Sequence, residues 1–253
     1  PVENRKFPGN VRGLSFLNGF LIDRWYTLRA KSTPLSKDTN PRFGAALATR
    51  DIDGDGIEEL VVGAPGFDVI VGTNPEANAG IVEAFQADSF LNPNPLHLPP
   101  WGLNQNIIRV FQAAAPREDA GFGSSLVIFD SGTGAPTTLA IGAPGAAGDV
   151  GGAPVPRAGT VSLVAHLFAG SSPPLVNSPD LTIMQNDGAL SPLPSWSLPA
   201  AGLDPQQDDG YGSALASGSV VGGGAEELVV GVPGQLVYDD VSAPRSGAGA
   251  VCV

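Results

Sequence analysis

Short apolar runs broken by glycine, proline and acidic turns recur along the chain, and they set the reading of its elements. Phe43–Thr49 is a short apolar run opening on Phe-Gly and reads as a strand, with a second at Glu59–Gly63. Ile81–Gln86 predicts a third strand and Ile107–Gln112 a fourth, the latter after a proline-rich loop around Asn92 to Pro100. Upstream, Leu21–Leu28 reads as a strand that precedes this set, and Val11–Leu17 as either a strand or an extended tail. Lys31–Pro41 is a polar loop. No apolar run reaches the ~18 residues a helix needs to cross a bilayer, so no membrane span is expected. Thirty-four glycines and 24 prolines fit an all-β chain with many turns.

The pattern repeats. Phe43-Gly44 leads to Gly63-Ala64-Pro65-Gly66; 79 residues on, Phe122-Gly123 leads to Gly142-Ala143-Pro144-Gly145. A further 89 residues bring Tyr211-Gly212 and Gly231-Val232-Pro233-Gly234 at the same internal spacing. Each copy continues through a glycine into another apolar run, at Gly80-Ile81-Val82, Gly159-Thr160-Val161 and Gly249-Ala250-Val251. Self-similarity in register marks a repeat architecture whose units bury their faces against one another. Between its first two strands the first copy carries Asp51-Ile52-Asp53-Gly54-Asp55-Gly56. Three carboxylates so close repel one another unless a cation neutralises them, and hard cations take oxygens offered at alternate positions of a tight, glycine-bearing loop.

At these residues the chain resembles the FG-GAP repeat, the blade of the integrin α-subunit β-propeller. The resemblance runs from about Phe43 to Val253. It implies an all-β fold of four-stranded blades, here three, at 43–121, 122–210 and 211–253, behind a basic segment with a leading strand at 1–42. It further implies calcium ligands at alternate loop positions: Asp51, Asp53, Asp55, the carbonyl of Ile57, and Glu59. The family usually places Asp at the last of these, so Glu59 is a departure that leaves Glu58 as a competitor. An EF-hand would need Glu at its twelfth position, where Val62 stands. The second copy keeps Asp130 alone of the loop carboxylates, and the third has Ser219, Val221 and Gly223 in place of the Asp triad, with Glu227 at the end. One cation site is expected. Propellers need about 4–8 blades to close, so three imply part of a larger propeller, one completed by other chains, or a further blade hidden in the insertions. The outer strand of the second blade falls at Leu181–Met184 or at Trp196–Leu198. Pro1 is no initiator, and a longer or processed product is expected.

Charge adds to this picture. The net charge is −12, yet residues 1–50 hold nine Lys/Arg against three acids, while the rest holds four Arg against 22 acids. So acidic a body argues against nucleic acid as a partner. Catalytic chemistry is thin. His97 lies in a proline-rich loop, His166 near the end of an apolar run, and neither stands at a metal-pair spacing; no serine sits in a nucleophile elbow. Cys252 is expected to be a small core residue.

The expected function is non-catalytic: a calcium-stabilised propeller module for adhesion, protein–protein interaction or assembly, outside the cell or on its surface. Its partners would be another protein or other copies of itself. The connections Phe67–Asn78, Asn92–Gln105 and Gly170–Ser195 are candidate recognition loops. The alternative is an accessory, carbohydrate-binding part of a secreted hydrolase or lectin-like protein, with Trp101 and Trp196 as sugar-stacking candidates.

Overall fold

A computed structural model describes residues 11–17, 20–28, 40–52, 58–85, 107–130, 132, 137–150, 152–165, 167, 176–177, 179–185, 205–220, 222, 224–238, 244–245 and 248–253. Among them every regular element is a strand, and the fold is all-β with propeller-type blades. An antiparallel hairpin, β1 (Val11–Leu17) with β2 (Phe20–Leu28), leads the chain. The first blade is β3 (Ala46–Arg50), β4 (Glu59–Ala64), β7 (Ile81–Phe85) and β8 (Ile107–Phe111), antiparallel throughout. The second is β9 (Ser125–Phe129), β10 (Thr138–Ala143), β13 (Thr160–Val164) and β15 (Leu181–Ile183). Its outer strand is thus the earlier of the two alternatives; Trp196–Leu198 lies outside the described residues. In the third blade β16 (Ala214–Gly218), β17 (Glu227–Val232) and β20 (Ala250–Cys252) form one sheet.

Each blade also carries a small hairpin between its second and third strands. These are β5 (Val69–Val71) with β6 (Asn74–Glu76), β11 (Gly148–Val150) with β12 (Ala153–Val155), and β18 (Val237–Tyr238) with β19 (Pro244–Arg245). The stretch read as the loop Phe67–Asn78 is therefore mostly hairpin. Within 170–195, β14 (Val176–Asn177) pairs in parallel with β8, so the second blade's insert adds a fifth strand to the outer edge of the first.

Because side chains alternate across a strand, each sheet presents two apolar faces, and the core lies between blades. Val61, Val82, Ala84 and Phe111 of the first blade meet Phe122, Leu126, Leu139 and Ile141 of the second. Phe129, Ala140, Val161 and Ile183 of the second meet Tyr211, Val230 and Val232 of the third. The opposite face of the first sheet is buried too, through Phe43, Val62, Ala64, Ile81 and Phe85, with Phe43 edge-on to Phe85 at 6.2 Å between ring centroids. Burying one such side chain contributes about 1.5–3 kcal/mol, so the blade-to-blade seams carry much of the stability.

Backbone bonds align the seams. The N–H groups of Asp119, Gly121 and Phe122 donate to the carbonyls of Ala77 (2.8 Å), Asn78 (3.0 Å) and Ala79 (2.9 Å). At the next seam Asp208, Gly210 and Tyr211 donate to Pro156 (3.3 Å), Arg157 (3.2 Å) and Ala158 (2.8 Å). Side chains repeat the match: Asn78 Nδ2 donates to Asp119 Oδ1 at 2.8 Å, and Arg157 pairs with Asp208 in the corresponding place. All four of these residues hold positive φ, between 51° and 68°. Such conformations cost energy outside glycine, and the seam bonds offset it. The recurring glycine explains itself here. A Cβ at Gly63 or Gly142 would fall inside contact distance of the carbonyl oxygen of Gly123 or Gly212 on the next blade.

Candidate metal centre

The loop with the acidic run is the link between β3 and β4. Their register pairs Arg50 with Glu59, so Glu59 stands across from the residue that precedes the loop. Glu59 is fully buried, whereas Glu58 is exposed. Glu59 Oε2 accepts a hydrogen bond from the backbone N–H of Ile52 at 2.8 Å, which ties the loop's two ends together. Asp51 is half-buried beside that clamp. Asp53, Asp55 and Ile57 lie outside the described residues.

Comparison with the other blades separates what a cation would need from what the turn needs. In the third blade Glu227 stands where Glu59 does, and its Oε2 accepts from Val220 N at 2.7 Å. The same clamp therefore holds a loop without the Asp triad. In the second blade Thr138 takes that position, and Asp130 Oδ1 instead accepts from Gly132 N at 3.0 Å in a local turn. The donor chemistry of the first loop fits a hard cation, which takes six to eight oxygens at about 2.3–2.6 Å. Asp51 and Glu59 come from the two ends of the loop, and the run between them supplies carboxylates at alternate positions.

A cluster beside this loop was not foreseen from the sequence. The inner strands β3, β9 and β16 pack in succession, and at their loop-side ends Arg50 Nη1 meets Glu226 Oε2 at 2.9 Å. The same oxygen accepts from Asp130 N at 2.8 Å, while Glu226 N donates to Asp130 O at 3.0 Å. Arg50 Nη1 also reaches the Ile128 carbonyl at 3.4 Å. One guanidinium thus joins all three blades immediately before the first loop. The Asp130 N–H, then Arg50, holds the Glu226 carboxyl below its ordinary range. The signal in the sequence was the pair Glu226-Glu227, of which only the second matched a repeat position with an assigned role.

Asp209 is an oddity of the third blade, fully buried where the earlier blades have Ala120 and Pro41. Its Oδ2 accepts from Gln206 N at 2.7 Å, and burial pushes its carboxyl above the ordinary range. Cys252 is a half-buried free thiol on β20, packed at the edge of the seam between the second and third blades, and burial raises its pKa. His97, His166, Trp101 and the loop Asn92–Gln105 lie outside the described residues, as does Trp196. No helix among the described residues is long and apolar enough to cross a membrane.

The FG-GAP repeat family matches residues 43–82, which span β3 to the start of β7 and include the acidic loop. No curated protein matches the chain.

Proposed function

We propose that the chain is a non-catalytic propeller module for protein interaction, working in adhesion or assembly outside the cell or at its surface. Its first loop holds calcium on Asp51, Asp53, Asp55, the Ile57 carbonyl and Glu59. The family match over the acidic loop supports the module reading. The observation that carries the metal reading is the run Asp51, Asp53 and Asp55 joined to a fully buried Glu59, a set that the corresponding loops of the other two blades lack. Glu59 then has two tasks: it closes the hairpin on Ile52 N and lends its charge to the cation. Calcium would rigidify the β3–β4 link and, through the adjacent Arg50, the meeting point of the three blades.

Thermal melts with calcium and with chelator test this. Chelation is expected to lower the melting temperature by several degrees, and Asp53→Ala to give the low value in either buffer. A ligand that binds only the folded state stabilises in proportion to the logarithm of its concentration over Kd, so the shift should also grow with added calcium. Identical melts in calcium and chelator would remove the cation from the function. Isothermal titration against the wild type and Asp53→Ala gives an independent reading of the site.

A further inference from the structure

The second seam holds polar side chains at places where the first has alanine. Phe111 and Ile183 stand at the same rung of their blades, opposite Val82 and Val161, so Gln185 corresponds to Ala113. By the spacing of the repeat, Asp209 corresponds to Ala120 and Gln235 to Ala146. Ala113 and Ala146 pack against the apolar cluster of the first seam, and Ala120 is buried. At the second seam all three places are closed to solvent as well: Gln185 is 4% exposed, Gln235 1% and Asp209 0%. Three alanines are thus exchanged for one carboxyl and two carboxamides with no gain of water. Main chain brings the three positions to one corner. Gly234 N donates to the Asp209 carbonyl at 2.9 Å, which sets Gln235 next to Asp209. Gln235 Nε2 donates to the Leu236 carbonyl at 3.2 Å, which orients its carboxamide. From its rung with Val161, β15 runs toward the Gly159 end of the sheet, and Gly159 bridges Tyr211, two residues past Asp209. Gln185 therefore approaches the same corner from the second blade.

Buried polar atoms nearly always find a partner. Asp209 Oδ2 has one in Gln206 N, but Asp209 Oδ1 and both polar atoms of the Gln185 carboxamide have none from the protein. Arg157, at the same seam, is engaged with Asp208. A buried carboxylate without a counter-charge is costly, so it takes either a proton or a small cation. We propose that this corner of the second seam binds a monovalent alkali cation, sodium or potassium, on Asp209 Oδ1 with carboxamide oxygens from Gln185 and Gln235. Hard cations take oxygen ligands, and here one carboxylate cancels one positive charge while neutral amides complete the shell. Calcium would keep half its charge uncompensated in the same place. Water would bridge the atoms but leave the carboxylate's charge uncancelled. The site is separate from the acidic loop, which follows the inner strand of the first blade, whereas Asp209 precedes that of the third.

The test is thermal melting of the full chain at neutral pH, with calcium chelated throughout, in sodium, potassium or choline chloride at one ionic strength. Choline is too large to enter the seam, so in choline the Asp209 carboxyl keeps its raised pKa, a proton being the only small cation on offer. Sodium or potassium is expected to raise the melting temperature by several degrees over choline, with saturation as its concentration grows. The ion that reaches half of its shift at the lower concentration is the preferred one. Asp209→Asn, nearly equal in size, should melt alike in all three salts. So should the triple variant Gln185→Ala, Asp209→Ala, Gln235→Ala, which gives the second seam the residues of the first. Equal melts of the wild type in all three salts overturn the proposal and leave a proton or an ordered water at the site. A cation effect that survives in Asp209→Asn overturns it too. Should the variants fail to fold, crystals of the wild type grown in rubidium chloride decide: an anomalous peak within coordination distance of Asp209 Oδ1 is expected, and a map without one removes the site. Calcium takes part in none of these arms, so failure of the metal reading of the first loop leaves this test intact.

Discussion

Glu59 and Glu227 make the same bond in loops of different character, to Ile52 N at 2.8 Å and Val220 N at 2.7 Å. A hydrogen bond to a carboxylate is worth about 1.5–3 kcal/mol, part of which water returns at an exposed loop. Glu227→Ala should therefore cost about 1–2 kcal/mol in denaturant melts, equally with and without calcium. Glu59→Ala should cost more in calcium than in chelator, and equal losses in both buffers would assign Glu59 to the turn alone. Two carboxyls are displaced in opposite directions. The Glu226 pKa is lowered, so its contribution is present above the ordinary value and lost as pH falls through the lowered one. The Asp209 pKa is raised, so what it contributes is present below the ordinary value and lost as pH rises through the raised one. Melts between pH 3 and 7 should then show Glu226→Gln approaching the wild type in acid, while Asp209→Ala gains on the wild type as pH rises. Parallel curves for either variant would mean that its carboxyl is not displaced. The sequence showed the acids of the first loop plainly, because three at alternate positions are rare without a cation. It did not show Arg50 with Glu226, since a pair 176 residues apart leaves no local pattern.

Among the elements, the strands of the repeat were legible because apolar runs and their glycine ends recur in register. Ala46–Arg50, Glu59–Ala64 and Ile81–Phe85 lie within a few residues of their expected bounds. The small hairpins were not. Val69–Val71 is too short to show alternation, and Asn74–Glu76 contains a proline that argues against a strand. The usable signal was the two-residue link Gly72-Thr73, with Gly72 at φ 65°. Similarly, nothing local marked Val176–Asn177, which becomes a strand only because the edge of β8 lies open to it. The seams carry a sharp prediction. Gly142→Ala drives a methyl into the Gly212 carbonyl and should cost about 3 kcal/mol or more. Gly218→Ala, where a Cβ meets nothing within 4 Å, should be neutral or slightly stabilising. Chemical denaturation of the two variants side by side checks this, and similar losses would place the third inner strand under a constraint that its open surroundings do not show.

For the molecule as a whole, the two seams are specified by backbone groups and glycines, while the sequences between them diverge. The first two repeats start 79 residues apart and the next two 89, yet the same three N–H groups find the same three carbonyls. The acidic loop, the length of the inserts and even the polar side-chain pair at the seam, Asn78 with Asp119 or Arg157 with Asp208, change from copy to copy without moving the joint. Such a joint makes the blades interchangeable parts. A unit cut from Gly121 to Gly210 should be removable, duplicable or replaceable by another of its kind, since what it offers on its two sides is the same main-chain pattern over an apolar face. Evolution by unequal duplication needs little more than that, and it would leave behind what this chain displays: one copy with a full acidic loop, one with a remnant, and one with only the clamp.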